Sequence, residues 1–98
     1  MKIYMVRGYE FKDGRPNKLE YDTTWGIFFS KEAAMDMANL LGQHVAEIDW
    51  IEKPEVTVLD DEVKVAHGPY TTYFCVYEEN VYDSAQECLD KEHPDFYR

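Results

Sequence analysis

No apolar run in this sequence exceeds a few residues, so a membrane-spanning helix is excluded at the level of sequence. The start, Met1-Lys2-Ile3-Tyr4-Met5-Val6-Arg7, lacks the apolar centre of a secretory leader, and the chain is expected to stay in the cytoplasm. Cysteine is scarce. Cys75 and Cys88 alone do not make a disulfide framework, and two reduced, buried thiols are expected. The five glycines are scattered, so no glycine-rich phosphate loop exists. His44, His67 and His93 lie far apart, and none stands at ligand spacing from a cysteine. Asp60-Asp61-Glu62 lacks the alternating oxygens and central glycine of a calcium loop. A cysteine–histidine nucleophile pair has no local signature here, and Ser30 and Ser84 sit where helix caps are wanted. The residues therefore point to no catalytic group, no metal and no cofactor, and the expectation is a protein that is not an enzyme.

Basic residues are also few. Ten Lys and Arg stand against twenty Asp and Glu, a formal net charge of −10. The imbalance is uneven. Residues 1–18 hold Lys2, Arg7, Lys12, Arg15 and Lys18 against Glu10 and Asp13, which is +3 and leaves −13 for residues 19–98. Such a surface repels a phosphate backbone, so direct nucleic-acid binding is not expected unless the basic N-terminal segment does it alone.

What is present is enough for one core. At 98 residues the chain is one domain, 1–98, and 45% hydrophobic with 15% aromatic residues argues against disorder. Trp25-Gly26-Ile27-Phe28-Phe29 suits a strand. Ser30 follows as an N-cap, and Ala34, Met37, Ala38 and Leu41 repeat at helical spacing up to Gly42, which fits the residue just past a helix end. Around this unit the pattern predicts a first strand over Lys2–Phe11 and a loop at Asp13–Asn17. It predicts a third strand over His44–Glu52 and a hairpin with Val56 and Val58 facing Val63 and Val65. A break at Gly68-Pro69 and a last strand over Tyr70–Tyr77 follow, with Glu78-Glu79-Asn80 turning the chain. A short helix capped by Asp83, with Gln86 as partner and Ala85, Cys88 and Leu89 inward, should end near Glu92. Lys2–Phe11 and Tyr70–Tyr77 are apolar on both sides, as central strands covered on both faces would be. The fold class is α+β: a mostly antiparallel sheet of about five to six strands, one main helix on one face and a short C-terminal helix. The expected core is Ile3, Met5, Ile27, Ala34, Met37, Leu41, Ile48, Trp50 and Phe74.

Two acidic clusters stand out. The first is Glu47, Asp49, Glu52, Glu55, Asp60, Asp61 and Glu62 against Lys53 alone; the second is Glu78, Glu79, Asp83, Glu87, Asp90, Glu92 and Asp95 against Lys91 alone. Carboxylates pair bidentately with arginine and steer encounter with a basic groove. The first cluster is the expected partner-binding site, because alternate strand residues would hold its charges about 6.7 Å apart on a rigid element.

Lys2-Ile3-Tyr4-Met5-Val6-Arg7-Gly8-Tyr9, followed by Gly26-Ile27-Phe28-Phe29-Ser30-Lys31-Glu32-Ala33-Ala34, resembles a pattern in small uncharacterised proteins of bacteriophages and prophages. The resemblance covers the first half of the chain. It implies an α+β fold and carries no active site. Small acidic phage proteins are often inhibitors of host defences, of the anti-CRISPR or anti-restriction kind. The function it implies is binding and blocking a basic host protein in the host cytoplasm. The alternatives are an accessory protein that self-associates through its sheet as a homodimer, or a small enzyme with an unrecognised site.

Overall fold

The computed structural model describes residues 1–12, 19–48 and 53–95, with backbone alone for 19–21 and 48. The elements are β1 (Lys2–Lys12), β2 (Leu19–Phe28), α1 (Lys31–Ile48), β3 (Glu55–Val58), β4 (Glu62–His67), β5 (Tyr70–Asn80) and α2 (Ala85–Glu92). The strands form one antiparallel sheet in the order β2-β1-β5-β4-β3. The α+β class is borne out, with five strands, one main helix and one short C-terminal helix. The two strands read as central, β1 and β5, pair with each other along their whole length and lie inside the sheet.

Burial alternates with the strand period and identifies the covered face. Val6 and Gly8 on β1, Thr72, Phe74 and Val76 on β5, and Val63, Val65 and His67 on β4 are buried, while their neighbours are not. Against this face lies α1. Its inward stripe is Ala34, Ala38 and Gly42, all buried, with Leu41 and Val45 half-buried beside them. Three small residues at four-residue spacing let the helix backbone approach the valines of β4 closely. A Cβ on Gly42 would stand 2.7 Å from Cγ1 of Val63.

That contact corrects the reading of Gly42 as a helix end. The helix continues through it to Ile48, so His44–Ile48 is helical and not the start of a third strand. Val45 extends the inward stripe by one turn, which a strand cannot do. Strand β2 also starts earlier than Trp25, and β5 runs past Tyr77, because Lys2, Ile3 and Tyr4 pair with Asn80, Glu79 and Glu78. Ser30 does cap α1, its Oγ accepting from the Ala33 N–H at 3.1 Å. The α2 cap is Ser84, one residue later than Asp83. Its Oγ accepts from the Glu87 N–H at 3.1 Å, and Glu87 Oε2 accepts from the Asp83 N–H at 3.2 Å. Gly68, at φ 57°, opens the two-residue Gly68-Pro69 turn between β4 and β5.

The core is Val6, Ala34, Ala38, Val63, Val65, Phe74 and Val76. Of the expected core, Ala34 and Phe74 are buried; Ile3, Met5, Met37 and Leu41 are half-buried. Ile27 is 60% exposed, because it pairs with Met5 on the opposite face of an edge strand. That opposite face corrects a second expectation: no described helix covers it. Helix α2 has no buried residue, with Cys88 and Leu89 half-buried and Ala85 exposed. The molecule is correspondingly long, 53 × 29 × 18 Å, with a radius of gyration of 16.7 Å against about 13 Å for a compact chain of this size. The loop at Asp13–Asn17, Trp50, and the terminal Phe96 and Tyr97 lie outside the described residues.

The close approach at Gly42 yields a signed prediction. In a free helix, Gly→Ala gains about 1 kcal/mol. Here the new methyl meets a buried, stiff valine, and overpacking costs about 1–3 kcal/mol. Gly42→Ala should therefore lower stability in urea unfolding; a gain would contradict the packing described.

Candidate functional site

Strand pairing distributes the acidic residues in a way their sequence order does not show. Glu47 is exposed on α1, so it does not alternate with its neighbours on a strand; Asp49 and Glu52 lie outside the described residues. Glu55 is exposed on β3, and Asp60 and Asp61 are exposed at the β3–β4 tip. Glu62 is half-buried on β4 and accepts from the Cys75 thiol at 3.8 Å. The described members of the expected binding cluster are therefore spread over a helix, two strands and a hairpin tip.

The tip has other neighbours. The Asp61 carbonyl accepts from the Val76 N–H at 2.8 Å, which sets the tip beside the second half of β5. Asp61 and Glu78 line one polar cleft with Tyr4, Lys31 and Val76. Glu78 is held there by Lys2 Nζ at 3.2 Å and by the Tyr4 hydroxyl, which donates at 3.3 Å. Glu79 and Asn80 follow on the same strand. Helix α2 is tied back to this end, since Asn80 Nδ2 and the Tyr82 hydroxyl both donate to Glu92 Oε1. The second acidic cluster and the tip of the first thus share one end of the sheet. The cations described there are largely committed: Lys2 to Glu78, and Lys91 to Glu87 at 3.0 Å.

The uncovered face differs in chemistry. Ile3, Met5, Tyr9 and Phe11 of β1 stand beside Tyr73 and Tyr77 of β5 and Ile27 of β2. Tyr77 donates to the Tyr9 hydroxyl at 3.1 Å, with the two rings edge to face. That bond, then burial, pushes the Tyr77 hydroxyl far above its ordinary range. Arg7 pairs with Asp22 at 2.6 Å and lies 5.7 Å from the Tyr9 ring centre. Lys64 lies 5.9 Å from the Tyr73 ring centre. Cys75 opens onto this face, but burial and the Glu62 charge raise its pKa, so the thiol is not an activated nucleophile.

A third feature lies on the covered face, under the second half of α1. Glu10, Trp25, Leu41, His44, Val45, Thr72 and Phe74 line a cleft of about 400 Å3. Thr72 of this lining donates to Glu10 Oε1 at 3.2 Å, and its Oγ1 lies 2.7 Å from Nε2 of the buried His67. With the Thr72 proton given to Glu10, the His67 Nε2–H is the donor in the second of these bonds. Sequence reasoning singled out neither Glu10 nor Thr72, and no local signal marks them: residues 10, 25, 44 and 72 meet only through sheet pairing and helix packing.

Among the described residues, no three His, Cys, Asp or Glu side chains are grouped to hold a metal ion. No described helix is long and apolar enough to cross a membrane. Compared with known proteins, the chain matches no family model, no curated protein and no solved structure.

The anchoring of α2 gives a pH prediction. Glu87 is held below its ordinary value of 4.5 by Lys91 and then by the Asp83 N–H. Glu92 is held below 4.5 by Tyr82 and then by Asn80, while the bond to Glu92 pushes Tyr82 up to about 12. A lowered carboxylate pKa stabilises the folded arrangement above 4.5 and loses that contribution as pH falls through the lowered value. Secondary chemical shifts of residues 85–92 should lose helical character as pH falls below 4.5, before the sheet amides change. An α2 unaffected throughout would contradict these anchors.

Proposed function

We propose that this chain is a non-catalytic binding protein that engages a basic partner protein through the acidic end of its sheet. One observation carries the reading: the fold brings Asp61 of the hairpin tip and Glu78 of β5 to one cleft, with Asp60 and Glu79 next to them in the chain, and ties the acidic α2 to the same strand. Charge held on strand ends and a pinned hairpin loses little conformational freedom on binding. A concentrated negative end accelerates encounter with a positive surface. The resemblance to small phage proteins extends the reading to inhibition, with the partner a nucleic-acid-handling host protein whose basic surface is occupied.

The test uses a partner captured from bacterial lysate at low salt and identified. The Asp60→Asn, Asp61→Asn, Glu79→Gln triple variant should slow association and weaken binding about tenfold, with unchanged thermal stability. Nucleic acid should compete for the same partner. Binding that ignores both added salt and the triple change would reject the acidic end as the contact surface.

The uncovered face favours a second reading, self-association through the sheet. With Ile27 60% and Tyr77 38% exposed, the apolar side chains there await a cover. Strands β1 and β5, eleven residues each, span roughly 36 Å, and five strands spread over roughly 19 Å, a face of about 700 Å2. A standard interface takes about 800 Å2 from each partner. Light scattering at high concentration should give twice the 11.6 kDa chain mass, reverting to monomer on Ile27→Glu. A monomer at every concentration removes this second reading.

A further inference from the structure

Three local features converge on the cleft beneath the second half of α1. The first is a β-bulge. Val6 pairs with Gly26 and Arg7 with Thr24, so Trp25 is an extra residue in β2. Bulges re-aim side chains, and this one sends an indole over β1. The second is Gly8. A Cβ there would stand 2.6 Å from Trp25 Nε1 and 3.2 Å from Phe74 Cε1, so the indole lies against the strand only because position 8 has no side chain. The third is polar. Thr72 is 3% exposed and His67 7%, yet they form a hydrogen-bonded chain that ends on the carboxylate of Glu10 at the cleft wall.

We propose that this cleft is a binding site for a small aromatic amine. Its volume, about 400 Å3, falls within the range of small-molecule pockets. Trp25, Phe74, Leu41 and Val45 supply apolar walls for a ring. The polar contribution is an acceptor: Glu10 Oε1 accepts from Thr72 and lies 3.6 Å from His67 Nε2, and the second carboxylate oxygen, Oε2, can receive an N–H donor. An ammonium group satisfies that carboxylate and gains further from the indole face. The chain's net charge of −10 attracts cations and repels anions, so the same site rejects a carboxylate of equal size. The aliphatic amine is charged at pH 8. This inference is independent of the acidic end of the sheet and stands or falls separately from it.

The experiment titrates the full isotope-labelled chain at pH 8 with 2-phenylethylamine and, in parallel, with 3-phenylpropionate. Saturable shifts with the amine, grouped at Trp25, Leu41, Val45, Thr72 and Phe74, and none with the acid, are expected. Glu10→Gln should weaken the amine at least tenfold. Because Glu10→Gln also touches the Thr72–His67 chain, Val45→Phe serves as a second variant, which fills the cleft from the helix side and should abolish the shifts. The proposal is overturned by any of three results. They are no saturable shift up to about 10 mM amine, well above the millimolar affinity open to so small a ligand; equal binding of the acid; or undiminished binding in Val45→Phe.

Discussion

The close approach of α1 to the sheet is the constraint on which the remaining structure depends. Ala34, Ala38 and Gly42 present almost no side chain, so the helix backbone comes down onto Val63 and Val65. A helix seated this low covers one face with a single layer. The buried cluster is built from valines, alanines and one phenylalanine, and the larger aromatics are displaced outward. Trp25, Tyr73 and Tyr77 are not core residues; they stand at the surface instead. The cost is a small core for 98 residues, offset in part by the long β1–β5 ladder.

A one-layer cover also decides where function can reside. The face under α1 is closed along its first half and opens beyond Leu41 into the cleft that holds Glu10 and Thr72. The other face is left to solvent or to a partner. There Arg7 is paired with Asp22, and Lys64 lies over the Tyr73 ring, in a chain that is strongly acidic. The acids instead collect at the sheet end where the N-terminus, the β3–β4 tip and α2 meet; there the backbones of Met1 and Val81 also bond to each other. The molecule thus separates an apolar face from an acidic end.

Much of this was legible in the sequence wherever the signal is local. Ser30 marks the start of α1 because capping is settled within one turn, and Gly68-Pro69 marks a turn because φ decides it there. The valines around Asp60-Asp61 announce a hairpin by their period alone. Gly42 misled for a physical reason: a glycine ends a helix when backbone freedom is needed, but permits close packing when a neighbour occupies the Cβ position. Only Val63, twenty-one residues away in the chain, distinguishes the two cases. Ile27 misled because alternation shows that a strand has two faces and not which one the helix covers. Glu78, Glu79 and Asn80 looked like a turn because they are polar, yet their backbones complete the ladder with β1. The acidic end and the cleft were illegible in principle, since each is assembled from residues that only sheet register brings together.

The seating of α1 on β4 is the claim from which the open face, the cleft and the acidic end all follow. It is tested most directly by nuclear Overhauser contacts between the Gly42 Hα protons and the Val63 methyl groups, read with the secondary shifts of residues 42–48. Strong contacts with helical shifts through Ile48 are the predicted result. Extended-type shifts from His44 onward, with no Gly42–Val63 contact, would contradict the fold described and everything placed upon it.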